Sequence, residues 1–479
     1  MTSALIYAIH RTQHWWSHVG RHMGFDQVTV LTDRRGDGDR WITDDYYAAW
    51  KTRYRARDQD SPLLSVAEID DVIARCRVLR WQDRRRAVAM VLAMADAMEI
   101  QLDAVRPGYV VSLPIDNYNQ DVLARLCRKR GLPYFEITIS ALPDMCMLMH
   151  RGRLMTTGPA PDPALVDAKI REIADPLFTP SYIKNQPDHG PLRFLKTLGY
   201  FRVRAAFFKL YSWWRRDALN IHYLDAQPSL GHKAKWSDVR ITRLVEPDWE
   251  KKLEAFPRER RVLFGLQLLP EAAIDYWIDD LQMILHEDLL VEIARRLTAA
   301  DHQIVVKDHP SQFGFRQTAL LDRLKAFPNV VIVPYHVSGN TMLAQCGISV
   351  TGTGTLGLQA ALLGNVSVTG EAYYVTEGDF VVLKHAGDLD NLVEAIAADD
   401  VGEGLRARQE RIVEHLLRGS FDADFLTLLR FDPAAPDPET AELGRRLGRQ
   451  LLALGPDGAN WHAVHMPAGA GGHDGSPLN

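Results

Sequence analysis

Lys307-Asp308-His309-Pro310 closes the run Gln303-Ile304-Val305-Val306, and 44 positions after Lys307 the segment Thr351-Gly352-Thr353-Gly354-Thr355-Leu356-Gly357 closes Ile348-Ser349-Val350. Both runs have strand composition, so both motifs sit where a strand hands over to a turn or helix. A lysine there supplies a point charge to phosphate or carboxylate, and an imidazole supplies a ring donor. Pro310 fixes the exit turn. In the second motif, glycines at 352 and 354 let the backbone approach a ligand, and the helix that follows presents free N–H groups with a partial positive charge. The hydroxyls of Thr351, Thr353 and Thr355 add donors. Both segments also read as tight turns that need small residues, and their order in one α/β unit favours a phosphate or sugar-acid grip. Gln267-Leu268-Leu269-Pro270-Glu271 follows another strand, Val262 to Phe264, and is expected to face the same cleft. It reads equally as a helix start, with Pro270 near the first position and Glu271 favourable to the dipole.

In the first half, Glu136 is read as ending the strand Tyr134-Phe135-Glu136, and Asp116 and Asn117 follow the strand Tyr109 to Leu113. A carboxylate at a strand end can serve as base or nucleophile, which makes Glu136 the first-half catalytic candidate beside His309. The plainer reading is a carboxylate satisfied by nearby N–H groups. His10 and Arg11, after the first strand, join Asp116 and Asn117 as candidate acceptor contacts. Asp37-Gly38-Asp39 has the spacing of a metal-binding acid pair but lies in a charged turn, so no metal is expected. Read literally, Gly352, Gly354 and Gly357 spell GxGxxG, with Glu371 near the place of a ribose-binding acid. A dinucleotide oxidoreductase is therefore a rival reading, and a non-catalytic assembly or export component is a third.

The elements that must position these residues suggest two α/β sets. With 479 residues, 46% hydrophobic and 24% charged, the chain exceeds one ordinary core. Strands and helices alternate in both halves, which predicts two Rossmann-like domains whose parallel sheets face an interdomain cleft, with ligands at the carboxyl ends of the strands. The expected division is 1–158 (acceptor domain), 159–235 (linker), 236–430 (donor domain), 431–455 (a C-terminal helix) and 456–479 (a Gly/Pro/His-rich tail read as disordered). A net charge of -5 gives no general argument for nucleic acid. Four scattered cysteines suggest a reducing compartment, and no signal-peptide pattern or membrane-length apolar run appears, so a cytoplasmic location is expected. Within the linker, 193–223 interleaves aromatic and basic residues against one acid, Asp217. It reads either as helices packed on the protein or as a contact with the anionic inner membrane.

Three segments resemble the capsule polysaccharide biosynthesis family, which includes Kdo transferases of GT-B fold: Leu263 to Glu271 with Gln-x-x-Pro-Glu, Ile304 to Pro310 with Lys-x-His-Pro, and Thr351 to Tyr374. Together they span about 110 residues of the second half. The resemblance implies a metal-independent glycosyltransferase without a cofactor, acting on a CMP-activated acidic sugar and a glycan or glycolipid acceptor. It further implies that His309 and Pro310 border the CMP, that Lys307 meets phosphate or the sugar carboxylate, and that the threonine–glycine loop cradles phosphate. Gln359 stands where relatives often carry Glu, and the family's acidic first-half signature is not cleanly reproduced.

Overall fold

A computed structural model describes residues 2–56, 61–156, 159–178, 189–222, 234–269, 271–399 and 404–455. Seven strands come from the first third: β1 (Ser3–Ala8), β2 (Gln27–Thr32), β3 (Arg40–Trp41), β4 (Tyr109–Ser112), β5 (Tyr134–Ile139), β6 (Met145–His150) and β7 (Arg153–Leu154). The second half adds β8 (Arg261–Gly265), β9 (Gln303–Lys307), β10 (Val330–Ile332), β11 (Ile348–Val350), β12 (Val366–Thr369), β13 (Val381–Val382) and β14 (Ser420–Asp422).

The second sheet is parallel throughout, in the order β10-β9-β8-β11-β12-β13. Counted from β8, that is the doubly wound order 3-2-1-4-5-6, whose direction of travel reverses between β8 and β11. The first sheet repeats the pattern in its parallel part, β3-β2-β1-β4-β5, with the reversal between β1 and β4. Strands β4, β9 and β11 are buried along their whole length, as strands covered by helices on both faces must be. The expectation of two Rossmann-like, GT-B-like domains holds, and the first sheet adds an antiparallel edge of β6, β7 and β14.

That edge corrects a boundary. The expected 236–430 unit gives up β14 to the first sheet, where Phe421 pairs with Cys146 and the Cys146 thiol donates to the Ala423 carbonyl at 3.2 Å. Beyond it the helix Pro438–Leu454, inside the predicted 431–455, lies on the helix Gln13–His22. The backbones touch there: a Cβ at Gly448 would stand 1.8 Å from the Met23 carbonyl oxygen. The linker contains the helices Pro163–Ile173 and Pro191–Trp214, while the tail read as disordered, 456–479, and Tyr223 lie outside the described residues. All four cysteines are free and buried. Among the described residues, no helix is long and apolar enough to cross a membrane.

Candidate functional site

The three second-half motifs meet at one residue. Gln267, 6% exposed just past β8, donates from Nε2 to Thr353 Oγ1 (3.1 Å) and to Glu271 Oε2 (3.1 Å), and its Oε1 accepts from the Thr353 N–H (2.8 Å). Its own carbonyl accepts from Arg316 (2.7 Å), whose Nε donates to Asp308 (2.8 Å), the second residue of Lys-x-His-Pro. Gln312, in the 3-10 turn Pro310–Gln312 that starts at Pro310, donates to the Leu269 carbonyl (2.8 Å). The loop after β11 is thus fastened to the segment after β8, at the reversal point where an open α/β sheet leaves a crevice.

Within that frame the expected residues take different roles. Thr351, Gly352 and Thr353 are buried, whereas Gly354 and Thr355 are half-exposed at the start of the helix Thr355–Leu362, whose first turn has no side-chain cap. Those uncapped N–H groups are the part of the loop open to an anion. Gly352 is needed for packing, since a Cβ there would stand 2.1 Å from Gln267 Oε1. His309 is half-buried, and its Nδ1 accepts from the Ser311 N–H (3.1 Å). The proton of the neutral ring therefore sits on Nε2, the nitrogen left to donate outward. Burial, with Lys307 and Arg316 nearby, lowers the pKa of His309 and favours that neutral ring.

Lys307 departs from expectation. It is 6% exposed, and its ammonium donates to the carbonyls of Asp308 (2.7 Å) and Tyr335 (3.3 Å). Burial lowers its pKa to about 8. Its charge fixes the turn after β9 from inside and is not offered at the surface, so the phosphate contact implied for it is not made from this position.

Glu136 requires a larger correction. It does not end a strand, because pairing with β6 extends β5 to Ile139. The carboxyl is fully buried and accepts from the backbone N–H groups of Ile115 (2.9 Å) and Arg151 (2.6 Å). Burial pushes its pKa up to about 7 against the pull of those two donors. A group that must touch substrate cannot do so with both oxygens taken in the interior, so Glu136 is a positioning residue for the loop carrying Asp116. Asn117 is likewise structural: 1% exposed, it caps the helix Tyr118–Lys129 by accepting from the Gln120 N–H (3.1 Å).

His10, Arg11 and Asp116 do reach the surface, at the reversal point of the first sheet. His10 Nε2 lies 3.6 Å from Asp116 Oδ2, and His10 and Arg11 both adopt left-handed backbone, with φ of 54° and 66°. Two successive non-glycine residues in that region carry a conformational cost of about 1–2 kcal/mol each, a strain that concentrates where side chains must be aimed. Burial works against ionisation of Asp116, yet Arg77 and His10 hold its pKa below the ordinary value.

Arg77, which sequence reasoning missed, joins the halves. It pairs with Asp116 and donates from Nε to Asp275 (2.8 Å) in the helix Ala272–Trp277. Arg75 donates to the carbonyls of Asp275 (3.1 Å) and Ile278 (2.6 Å), while Arg153 pairs with Glu371 (2.9 Å). Beside this seam stands Glu271, half-buried, its pKa raised to about 7 by burial and by Asp116 and Asp275, against Gln267 and Arg77. A carboxyl poised near neutrality in a cleft is suited to proton transfer. His286, also unforeseen, lies under the loop. It is 4% exposed, burial lowers its pKa to about 4, and neither ring nitrogen has a hydrogen-bond partner among the described residues.

The dinucleotide rival meets a topological obstacle. Its fingerprint belongs after the first strand of the 3-2-1-4-5-6 order, whereas Gly352-x-Gly354-x-x-Gly357 follows the fourth. Glu371, the would-be ribose acid, is engaged with Arg153 and the Asp279 N–H. Asp37-Gly38-Asp39 is a turn in which Asp39 accepts from the Val30 N–H (2.8 Å), and among the described residues no group of three or more His, Cys, Asp or Glu could hold a metal.

No curated protein matches this sequence. Among solved structures, the chain is similar to the beta Kdo 2,4 transferase of Thermosulfurimonas dismutans KpsC (12% identity, 71% of this chain and 87% of that one, TM-score 0.32). The beta Kdo 2,7 transferase of the same protein gives 11%, 76%, 91% and 0.31, and the UDP-GlcNAc 2-epimerase of Neisseria meningitidis 11%, 87%, 100% and 0.23. These superpositions are loose. A family model described as "Capsule polysaccharide biosynthesis protein" matches residues 224–380, which contain Gln267, Glu271, the Lys307–Pro310 turn and the loop from Thr351. Over that stretch the likeness to the capsule polysaccharide biosynthesis family, read from the three motifs, is borne out.

Proposed function

We propose that this protein is a glycosyltransferase of capsule or other surface polysaccharide biosynthesis, moving an acidic, Kdo-like sugar from a CMP-activated donor to a glycan or glycolipid acceptor. One observation carries the reading: Gln267 ties the three motifs together, directly to Thr353 and Glu271 and through Arg316 to Asp308, and Glu271 feels the charge of Asp116 on the acceptor side. The open N–H groups at Gly354 and Thr355 and the Nε2–H of His309 take up the charge that grows on the departing nucleotide phosphate. Glu271 accepts the proton of the attacking acceptor hydroxyl. His10 and Asp116 orient the acceptor, and Arg77 holds the loop from which Asp116 projects. The acceptor is met at the inner face of the membrane.

A screen of CMP-sugars against UDP-sugars, CDP-glycerol and NAD tests this. Turnover of a CMP-sugar is expected, and tight binding of NAD without binding of CMP overturns the proposal. His309→Ala is expected to weaken CMP binding about tenfold, the loss of one hydrogen bond to a charged group. Unchanged CMP affinity removes His309 from the donor site.

A further inference from the structure

The helix Pro191–Trp214 carries Arg193, Lys196, Arg202, Arg204 and Lys209, is followed by Arg215 and Arg216, and meets no acid before Asp217. At about 100° per residue, Phe194, Leu198 and Phe201 fall on one side. That side faces the protein: Phe194 and Leu198 are fully buried in the core of the second sheet, and Phe201 lies edge-on to Phe315 at 5.1 Å. An ordinary surface helix would turn its charges outward. Here the outward side is a second apolar stripe, with Val203, Leu210 and Trp213 exposing 71%, 64% and 76% of their surface alongside Tyr200, Phe207 and Trp214.

The cations have a particular place. By the same rotation Arg204 flanks the stripe on one side and Lys209 on the other, and Lys196 lies within it, while Arg202 donates to the Ala234 carbonyl at 2.6 Å. Apolar residues down the middle with basic side chains along both edges match the boundary between acyl chains and anionic headgroups, where Lys and Arg stems lie along apolar surface and their heads reach phosphate. Tyr211, Trp213 and Trp214 end the helix with rings of the kind enriched at membrane interfaces. A protein partner with an acidic rim would suit the charges, but a stripe more than three turns long on a single helix suits a fluid surface better.

We propose that Pro191–Trp214 lies in the plane of an anionic membrane, its outward stripe in the headgroup boundary. The helix ends at the acceptor side: the Arg11 guanidinium stands 5.7 Å from the centre of the Tyr211 ring, and Arg34, 7% exposed, lies within reach of the charge of Arg11. Docking in this pose sets the mouth of the cleft against the bilayer. The docking stands on the helix alone, and only the delivery of a membrane-held acceptor to Arg11 rests on the transferase reading.

Flotation of the full chain with vesicles of phosphatidylcholine, and of phosphatidylcholine mixed with phosphatidylglycerol, tests the contact without any donor. Binding to the anionic vesicles alone, weakened by salt, is expected. Lys196→Gln combined with Lys209→Gln should weaken it about thirtyfold, as expected for two basic residues near an anionic surface, and Leu210→Asp should weaken it at least as much. Both variants should keep the parental melting temperature. No binding by the parent, or equal binding by parent and both variants, overturns the proposal. So does a dimer in solution that Leu210→Asp dissolves, because a second copy would then own the stripe. Loss of CMP-sugar turnover with vesicle binding intact would count against the transferase reading and leave the docking in place.

Discussion

Glu136→Gln separates a buttress from a catalyst. The carboxyl accepts two backbone N–H groups, and glutamine offers one oxygen, so one buried donor is left facing an NH2 group. An unsatisfied buried donor costs about 1–3 kcal/mol. For a domain of this size each kcal/mol lowers the melting midpoint by roughly 2–4 °C. The penalty should also depend on pH. Folding raises the Glu136 pKa from 4.5 to about 7, so between those values the native state keeps a proton that the unfolded chain has lost. The parent's stability therefore falls as pH rises from the unfolded value through the folded one, by at most about 3 kcal/mol. The variant lacks that slope, and its deficit is largest near pH 5 and narrows by pH 8. Urea unfolding of both proteins across this range, with turnover measured well below the midpoint, checks each part. A deficit that does not change with pH refutes the titration argument. Intact stability with collapsed turnover would show that Glu136 touches substrate and that its reading as a buttress is wrong.

Three other outcomes follow from the site. Glu271→Gln should lower kcat by about 10²–10⁴, the range of a lost acid–base group, and abolish the inflection near pH 7 expected in the parent's rate profile; a retained inflection assigns it elsewhere. Arg77→Met leaves Asp116 and Asp275 facing each other across the seam and should cost about 3–5 kcal/mol in chemical denaturation, and a loss below 1 kcal/mol would mean that Arg77 does not bridge the halves. Gly352→Ala drives a methyl into Gln267 and should cost about 1–3 kcal/mol together with CMP affinity, and an unchanged affinity would separate the Gln267 network from the donor site.

What could be read from the sequence was local. Alternating strands and helices announced both doubly wound sheets, and the strand-end motifs lie where they were expected. The failures come from partners remote in the chain. Glu136 looked like a strand end because Ile137-Thr138-Ile139 owes its strand to pairing with β6 as much as to composition. Lys307 looked available because the Tyr335 carbonyl that binds it lies 28 residues on. Arg77 gave no signal, since its partners stand 39 and 198 positions away and no periodicity records such a pairing. The return of β14 to the first sheet was hidden for the same reason: Ser420-Phe421-Asp422 is too short to announce a strand without its neighbour.

That return bears on the order in which the molecule can be made. The parallel part of the first sheet is complete once β5 has been synthesised, but β6 lacks its neighbour β14, and the helix Gln13–His22 lacks its cover, until residues 420–454 exist. At about 5–20 residues per second, the ribosome needs on the order of tens of seconds to travel from β7 to β14. Throughout that interval the nascent first domain presents an open sheet edge and an uncovered helix face, both invitations to wrong pairing. The last helix is thus a closing step of biogenesis, and a chain cut short of it would release a first domain whose helix Gln13–His22 is left uncovered.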